Sequence, residues 1–312
     1  MIGLRTFALA GALAGLAAAL APHTAAAQSG DTPSMTQKLN AYIGCVNRLT
    51  GRAYESRARY FSWAAKSGPT GKERIIYGTY TIYDTSDCVR NVEKANAMEP
   101  HDAELEAAAT AYADAVSKLA PLLKEADDYY TQENYKDDKM AKGKALHPQL
   151  VAGWDAFSVA DHKLRDGLEA VHDKRALEKL AEIEKSEGRQ ARYYVEALMI
   201  QAKRVERAAQ KDNADVAEMT KAIDEYESSV KGAEQFTGPN AQIGSMFIGN
   251  AKSFLTTSKQ LMRRIRDKTP YSSGERMMLN NQGSGWMVEG SPPRLMRDYN
   301  QLVDAYNRGA RI

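Results

Sequence analysis

The side chains best suited to chemistry in this 312-residue chain are five histidines, two cysteines and a short run of tyrosines and acids between helical stretches. His147, His162 and His172 follow one another on what reads as one helix, and Glu169-Ala170-Val171-His172 is a Glu-x-x-His unit. Carboxylate-bridged two-metal bundles use two such units plus two more Glu. The sequence holds no second unit. On a helix rising about 1.5 Å per residue, His147 and His172 lie roughly 37 Å apart and His162 and His172 roughly 15 Å apart. With Phe157, Leu164 and Val171 on the core side, His162, Asp166 and Glu169 belong to a solvated face, and no metal or other cofactor is expected. Gly-x-Ser-x-Gly, His-Glu-x-x-His and a phosphate-binding glycine loop are all missing, so no catalytic residue is assigned.

Cys45 and Cys88 can be placed by arithmetic. If their helices form an antiparallel hairpin turning at Ser67-Gly68-Pro69-Thr70-Gly71, their midpoint of 66.5 falls at the edge of that turn, so the thiols meet at similar height. An oxidising compartment joins them, and closing the 44-residue loop stabilises by roughly 4 kcal/mol in the chain-entropy model. Cys-x-x-Cys spacing is absent, which favours a structural bridge over a redox or metal pair.

Two segments could bind something. The stretch Asp128 to His147 reads as a corner between helices, with Asn134 ending one and Asp137 or Asp138 capping the next. Tyr129, Tyr130, Glu133, Tyr135, Asp137, Asp138 and His147 are its candidate binding residues, and Lys142 or Lys144 can pair with acids one turn earlier. Thr269 to Gly290 is a 22-residue break rich in Gly, Ser and Asn that carries Met277, Met278, Leu279, Trp286 and Met287. Flexible Met beside a Trp suits an adaptable contact surface. The same side chains can instead fold back over the bundle end, and Glu275 to Leu279 leaves room for a short helical turn.

The elements that must position these residues are helices. Apolar positions recur at alternating steps of four and three, most clearly in Leu105, Ala109, Tyr112, Val116, Leu119, Leu123, Ala126 and Tyr130. Val216, Met219, Ile223, Tyr226 and Val230 repeat the pattern, as do Leu295, Tyr299, Leu302 and Tyr306, while Leu150, Phe157, Leu164 and Val171 fall at sevens. Period-two alternation is nearest at Thr79 to Tyr83, and it is short. Breaks at 67–71, 99–102, at Lys136-Asp137-Asp138, near Asp173, near Asp212, at Gly238-Pro239-Asn240 and at Ser291-Pro292-Pro293 mark about eight helices. Pro121 interrupts the third in mid-seam and reads as a kink, because the seam continues beyond it. The expected fold is all-α, an elongated bundle of long antiparallel helices forming one domain over 28–312, with lobes at 34–171 and 172–312.

The ends and the charge set the setting. Arg5 precedes an Ala/Leu/Gly run from Thr6 to Ala21, and Ala25-Ala26-Ala27 supplies a small-residue site, so 1–27 reads as a signal peptide cleaved after Ala27. No Cys follows the apolar run directly, so no lipid anchor is expected, and no later segment is apolar for long enough to span a bilayer. With 42 basic and 40 acidic side chains the net charge is +2, and charges are interleaved, which argues against nucleic acid as a partner. The densest basic stretch, Lys259 to Lys268, sits where a helix should end; its cations either complement that terminus or meet anionic lipid or an acidic partner.

Tyr129-Tyr130-x-Gln132-Glu133-x-Tyr135-Lys136-Asp137-Asp138, followed by Lys142-Gly143-Lys144 and Leu146-His147, resembles the YiiG-like family of bacterial envelope proteins. So do Lys38 to Ile43, the Pro121-Leu122-Leu123 step and Tyr299 to Val303, so that the likeness spans most of 35–308. The resemblance implies an all-helical, exported protein and supplies no catalytic residue. Some members carry a lipoprotein cysteine that this sequence lacks. The reading is a non-enzymatic periplasmic scaffold or partner-binding module, the partner being another envelope protein. The alternative is a periplasmic small-ligand or metal-binding protein with a polar cavity in the bundle.

Overall fold

The computed structural model describes residues 33–211, 214–237, 243–281 and 283–310. The expected leader, 1–27, and the Gly238-Pro239-Asn240 break lie outside the described residues. The described residues form nine α-helices: α1 Pro33–Phe61, α2 Thr85–Asn96, α3 Ala103–Thr131, α4 Ala141–Glu187, α5 Ala191–Gln210, α6 Val216–Gln235, α7 Ser245–Arg266, α8 Ser273–Asn280 and α9 Pro292–Ala305. Among the described residues there is no strand; one isolated bridge joins Ala65 and Gly68. The helix absent from the periodicity reading is the short α8, inside the 269–290 break.

Helix starts follow from local chemistry. Asp102 accepts a hydrogen bond from the Leu105 amide at 3.0 Å and so opens α3. Ser291 caps α9 with Pro292 at the first helical position. Ser272 and Glu275 form a reciprocal capping box on α8. Pro121 lies within α3, which continues through it to Thr131. The helix start expected near Asp173 is not there, since α4 runs unbroken from Ala141 to Glu187. His172-Asp173-Lys174-Arg175 is polar, but it contains neither Gly nor Pro, and polarity on a solvated face does not end a helix.

The chain divides into two compact units, up to His172 and from Asp173 onward. In the first, α1, α2, α3 and the first part of α4 share one core in which Tyr42, Tyr60, Tyr112, Trp154 and Phe157 are buried. Each of these rings removes roughly 150–250 Å² from water, about 4–6 kcal/mol of gross burial. All eight α3 seam residues from Leu105 to Tyr130 are buried. In the second unit α5 packs on α6, α6 on α7, α7 on α9 and α9 on α5, which closes a four-helix circuit around Leu198, Ile223, Tyr226, Phe254 and Leu302.

Charged groups inside the first unit are matched. Asp161 on α4 is 2% exposed and accepts from Thr50 at 2.8 Å, Tyr54 at 3.2 Å and Arg165 at 3.1 Å. The Thr50 hydroxyl is also 2.9 Å from Tyr112. Lys38, with no exposed surface, donates to Glu106 at 2.5 Å and to the Pro100 carbonyl at 2.9 Å. Burial alone would raise the Glu106 carboxyl; bonds from Lys38, His101 and the Asp102 amide bring it down to about 2.

The first two helices do not form the hairpin that the cysteine arithmetic assumes. After Phe61 the chain spends residues 62–84 without a helix, and α2 begins only at Thr85. The return direction is nevertheless antiparallel to α1, and Cys45 and Cys88 are joined with Cα atoms 5.2 Å apart.

Candidate functional site

An irregular segment of that length needs partners for its backbone, and α1 supplies them from one face. Arg59 Nε donates to the Tyr77 carbonyl at 2.7 Å, Arg52 Nε to Thr81 at 3.2 Å, and Arg48 to Asp84. Ser56, buried between them, does two jobs: its hydroxyl donates to the Tyr80 carbonyl at 2.7 Å and accepts from the Tyr80 amide at 3.0 Å. Positions 48, 52, 56 and 59 recur at steps of four, four and three, so one helical face serves as the partner strand that a sheet would provide. Trp63 Nε1 donates to the Gly78 carbonyl at 3.0 Å, and Thr79 Oγ1 donates to Leu123 of α3 at 3.2 Å. Residues 77–84 are thus a strap laid along α1.

The corner singled out in the sequence lies beneath this strap. Tyr129 and Tyr130 are 2% and 4% exposed, and Tyr130 stacks edge-on with Trp63 at 4.9 Å and Tyr129 at 5.0 Å. Gly78 and Gly68 both hold positive φ, and a Cβ would stand 3.3 Å from Tyr130 Cβ at the first and 3.2 Å from the His147 ring at the second. Glycine therefore serves conformation and close approach together. His147 Nε2 is 3.2 Å from the Lys66 carbonyl and Nδ1 is 2.9 Å from the Tyr60 hydroxyl. Because a carbonyl only accepts, Nε2 is the donor to Lys66; burial pushes the Tyr60 phenol beside Nδ1 up to about 12. His147 thereby fastens the loop at residues 66–68 to the end of α1.

The other corner residues split. Asp138 accepts from the Ala141 and Lys142 amides at 3.2 and 2.9 Å and from the Tyr129 hydroxyl at 2.7 Å, so it opens α4. The Lys142 amide, the Tyr129 hydroxyl and the Ala141 amide outweigh partial burial and hold its carboxyl below the usual range. Glu133 pairs with Lys136 at 2.5 Å, Tyr135 is half-buried, and Asp137 is exposed. Lys142 pairs with Glu125 of α3 at 2.9 Å, across the helix pair and not with an acid one turn earlier.

Over the strap and α1 opens a groove of about 560 Å³ lined by Glu55, Ala58, Arg59, Ser62, Tyr77 and Tyr80. Two guanidinium groups lie against the Tyr80 ring, Arg52 at 3.9 Å and Arg59 at 4.4 Å from its centroid, and Arg59 Nη1 donates to the Tyr80 hydroxyl at 3.0 Å. Ile75, Tyr77 and Tyr83 stand 52%, 48% and 69% exposed along the same segment. From Arg59 to Tyr83 the chain carries four basic side chains and one acid. That acid, Glu73, is turned inward onto the Thr70 and Gly71 amides. The arrangement offers rigid apolar and aromatic contacts beside cations, which is the chemistry of a binding surface. Sequence reasoning missed Arg59, Tyr77 and Tyr80; the available signal was the Thr79 to Tyr83 alternation behind three glycines at 68, 71 and 78.

In the second unit, Met277 is 71% exposed, Met278 39% and Met287 51%, while Trp286 lies under the Arg297 guanidinium at 3.9 Å. Among the described residues, no group of three His, Cys, Asp or Glu is placed to hold a metal ion, and no helix is long and apolar enough to cross a membrane.

The family model described as "Protein of unknown function (DUF3829)" matches residues 34–308. The chain is similar to "Uncharacterized protein YiiG" of Escherichia coli (strain K12), 38% identical over 278 residues that cover 87% of this chain and 78% of the relative. No solved structure matches the chain. With the match running from the start of α1 past the end of α9, this chain belongs to the DUF3829 family.

Proposed function

We propose that the protein is exported, loses residues 1–27, and works in the periplasm as a partner-binding helical module with no catalytic role of its own. One observation carries this reading. An irregular strap with large exposed side chains is fastened at Arg48, Arg52, Ser56, Arg59 and Trp63, so its surface is ordered before any partner arrives. Tyr77 and Tyr83 on the strap, and Ile75 just before it, have no role in the core, and exposing such side chains on and beside a fastened segment is the pattern of a contact surface. The disulfide, which needs an oxidising compartment, supports the periplasmic setting.

The test is a photo-crosslinking residue placed at position 77 or 83 in intact cells, with Val159, 71% exposed on α4, as control. A discrete adduct from 77 and 83, absent from 159, is expected. The same adducts from all three positions, or none from any, would overturn the assignment.

A further inference from the structure

We propose that the tip of the second unit, made by the end of α7, α8 and the turn at Gly285–Met287, docks on an anionic phospholipid surface. The charge is concentrated there. Residues 259–298 hold eight basic and four acidic side chains, a net of +4, while the whole chain has only +2. Along α7 and just beyond it, most cations are paired: Lys252 with Glu234, Lys259 with Glu227, Arg264 with Glu275 and Arg266 with Asp267. Arg263, Lys268, Arg276 and Arg297 differ. Among the described residues none has a carboxylate within 4.0 Å, although the Arg263 charge still acts on Asp267; Arg276 reaches the Tyr271 carbonyl and the Ser273 hydroxyl, and Arg297 lies over Trp286. Arg263, Lys268 and Arg276 are exposed.

The apolar side chains sit among these cations. α8 turns Glu275 and Leu279 inward: Glu275 binds Arg264 at 2.7 Å, and Leu279 packs near Gly285. At 100° per residue Met277 is then carried to the outward side, which its 71% exposure matches. The segment is tied down by the capping box, by Tyr271 donating to the Gly290 carbonyl at 3.2 Å and by Ser284 donating to the Met278 carbonyl at 2.8 Å. The Arg264 bond to Glu275 and the Ser272 amide and hydroxyl bring the Glu275 carboxyl down to about 2, so this fastening persists through mild acid. Protruding thioethers with a Trp at their base and unpaired cations at their rim match a bilayer interface, where apolar groups enter the headgroup region and cations meet lipid phosphate. The charge complementarity selects anionic over zwitterionic lipid.

The experiment is sedimentation of the purified protein with vesicles of equimolar phosphatidylcholine and phosphatidylglycerol, against pure phosphatidylcholine. Binding to the anionic vesicles alone, weakening as salt is raised, is expected. Each of Arg263→Gln, Lys268→Gln and Arg276→Gln should lower partitioning about fivefold, from about 1 kcal/mol per cation near the surface, and the three together about a hundredfold. Met277→Ser, which changes no charge, should weaken binding as well, while Lys124→Gln on α3 should leave it unchanged. Equal sedimentation with both vesicle types, or wild-type binding by the triple variant and by Met277→Ser, would overturn the proposal. Salt-sensitive binding to polyglutamate with none to either vesicle would also overturn it and assign the tip to an acidic protein.

Discussion

Substituting Ser56 by Ala should release the strap while leaving the helices in place. The hydroxyl bonds both the amide and the carbonyl of Tyr80, at 3.0 and 2.7 Å. Its removal takes away two hydrogen bonds worth about 1 kcal/mol each and leaves two backbone groups poorly paired in a half-buried position, so the local cost is about 2–4 kcal/mol. A tenfold change corresponds to about 1.4 kcal/mol, so the Tyr80 amide should exchange its hydrogen about 30- to 1,000-fold faster in the variant. Hydrogen exchange read by mass spectrometry on peptides spanning 77–84 measures this directly, with the α3 peptide 105–123 as internal control. Faster exchange at 77–84 with α3 unchanged is expected. If Tyr80 exchanges at the wild-type rate in Ser56→Ala, α1 is not what holds the strap, and the groove lined by Tyr77 and Tyr80 loses its basis.

Four further outcomes follow from the first unit. Glu106→Gln leaves the fully buried Lys38 without its counter-charge and should cost about 3–5 kcal/mol, whereas Lys38→Met with Glu106→Gln should recover part of that; urea unfolding followed by Trp63 and Trp154 fluorescence, with Trp286 replaced by Phe, reads it. Because the folded Glu106 carboxyl lies near 2 and the unfolded one at its ordinary value, its contribution is fully present above about pH 4.5 and lost as pH falls toward 2, and the Gln variant should lack that slope. Gly143→Ala should destabilise by about 1–3 kcal/mol in thermal melts, since the added Cβ stands 2.5 Å from Met140 Sδ and 3.0 Å from the Tyr130 hydroxyl. Replacing Cys45 and Cys88 by Ser should lower stability by about 2–4 kcal/mol in the same urea assay, and no loss would deny the bridge a structural role.

The helices were legible because their information is local and periodic. Leu105 to Tyr130 repeats every three or four residues, and all of it is buried. Asp102 and Ser291 announce helix starts within four residues of the amides they cap. The strap was not legible, because Tyr77, Tyr80 and Thr81 are held by α1 side chains roughly twenty to thirty positions earlier, and no repeat encodes that pairing. The burial of Lys38 and Asp161 is not encoded locally either: the groups that compensate them, Glu106 for one and Thr50 and Tyr54 for the other, are brought close only by folding. In the corner from Tyr129 to His147, Tyr130 lies against Gly78 of the strap and His147 holds the loop at residues 66–68, contacts that no local spacing encodes.

The bond between Cys45 and Cys88 closes a covalent ring, and the whole strap lies inside it. The exposed basic residues Lys66, Lys72 and Arg74, where a trypsin-like protease would cut, are all members of that ring. A single cut there opens the ring without dividing the molecule: the two pieces stay linked through the sulfurs and separate only when a reductant is added. A nicked protein would therefore keep one apparent mass on a non-reducing gel while its binding surface had already been severed.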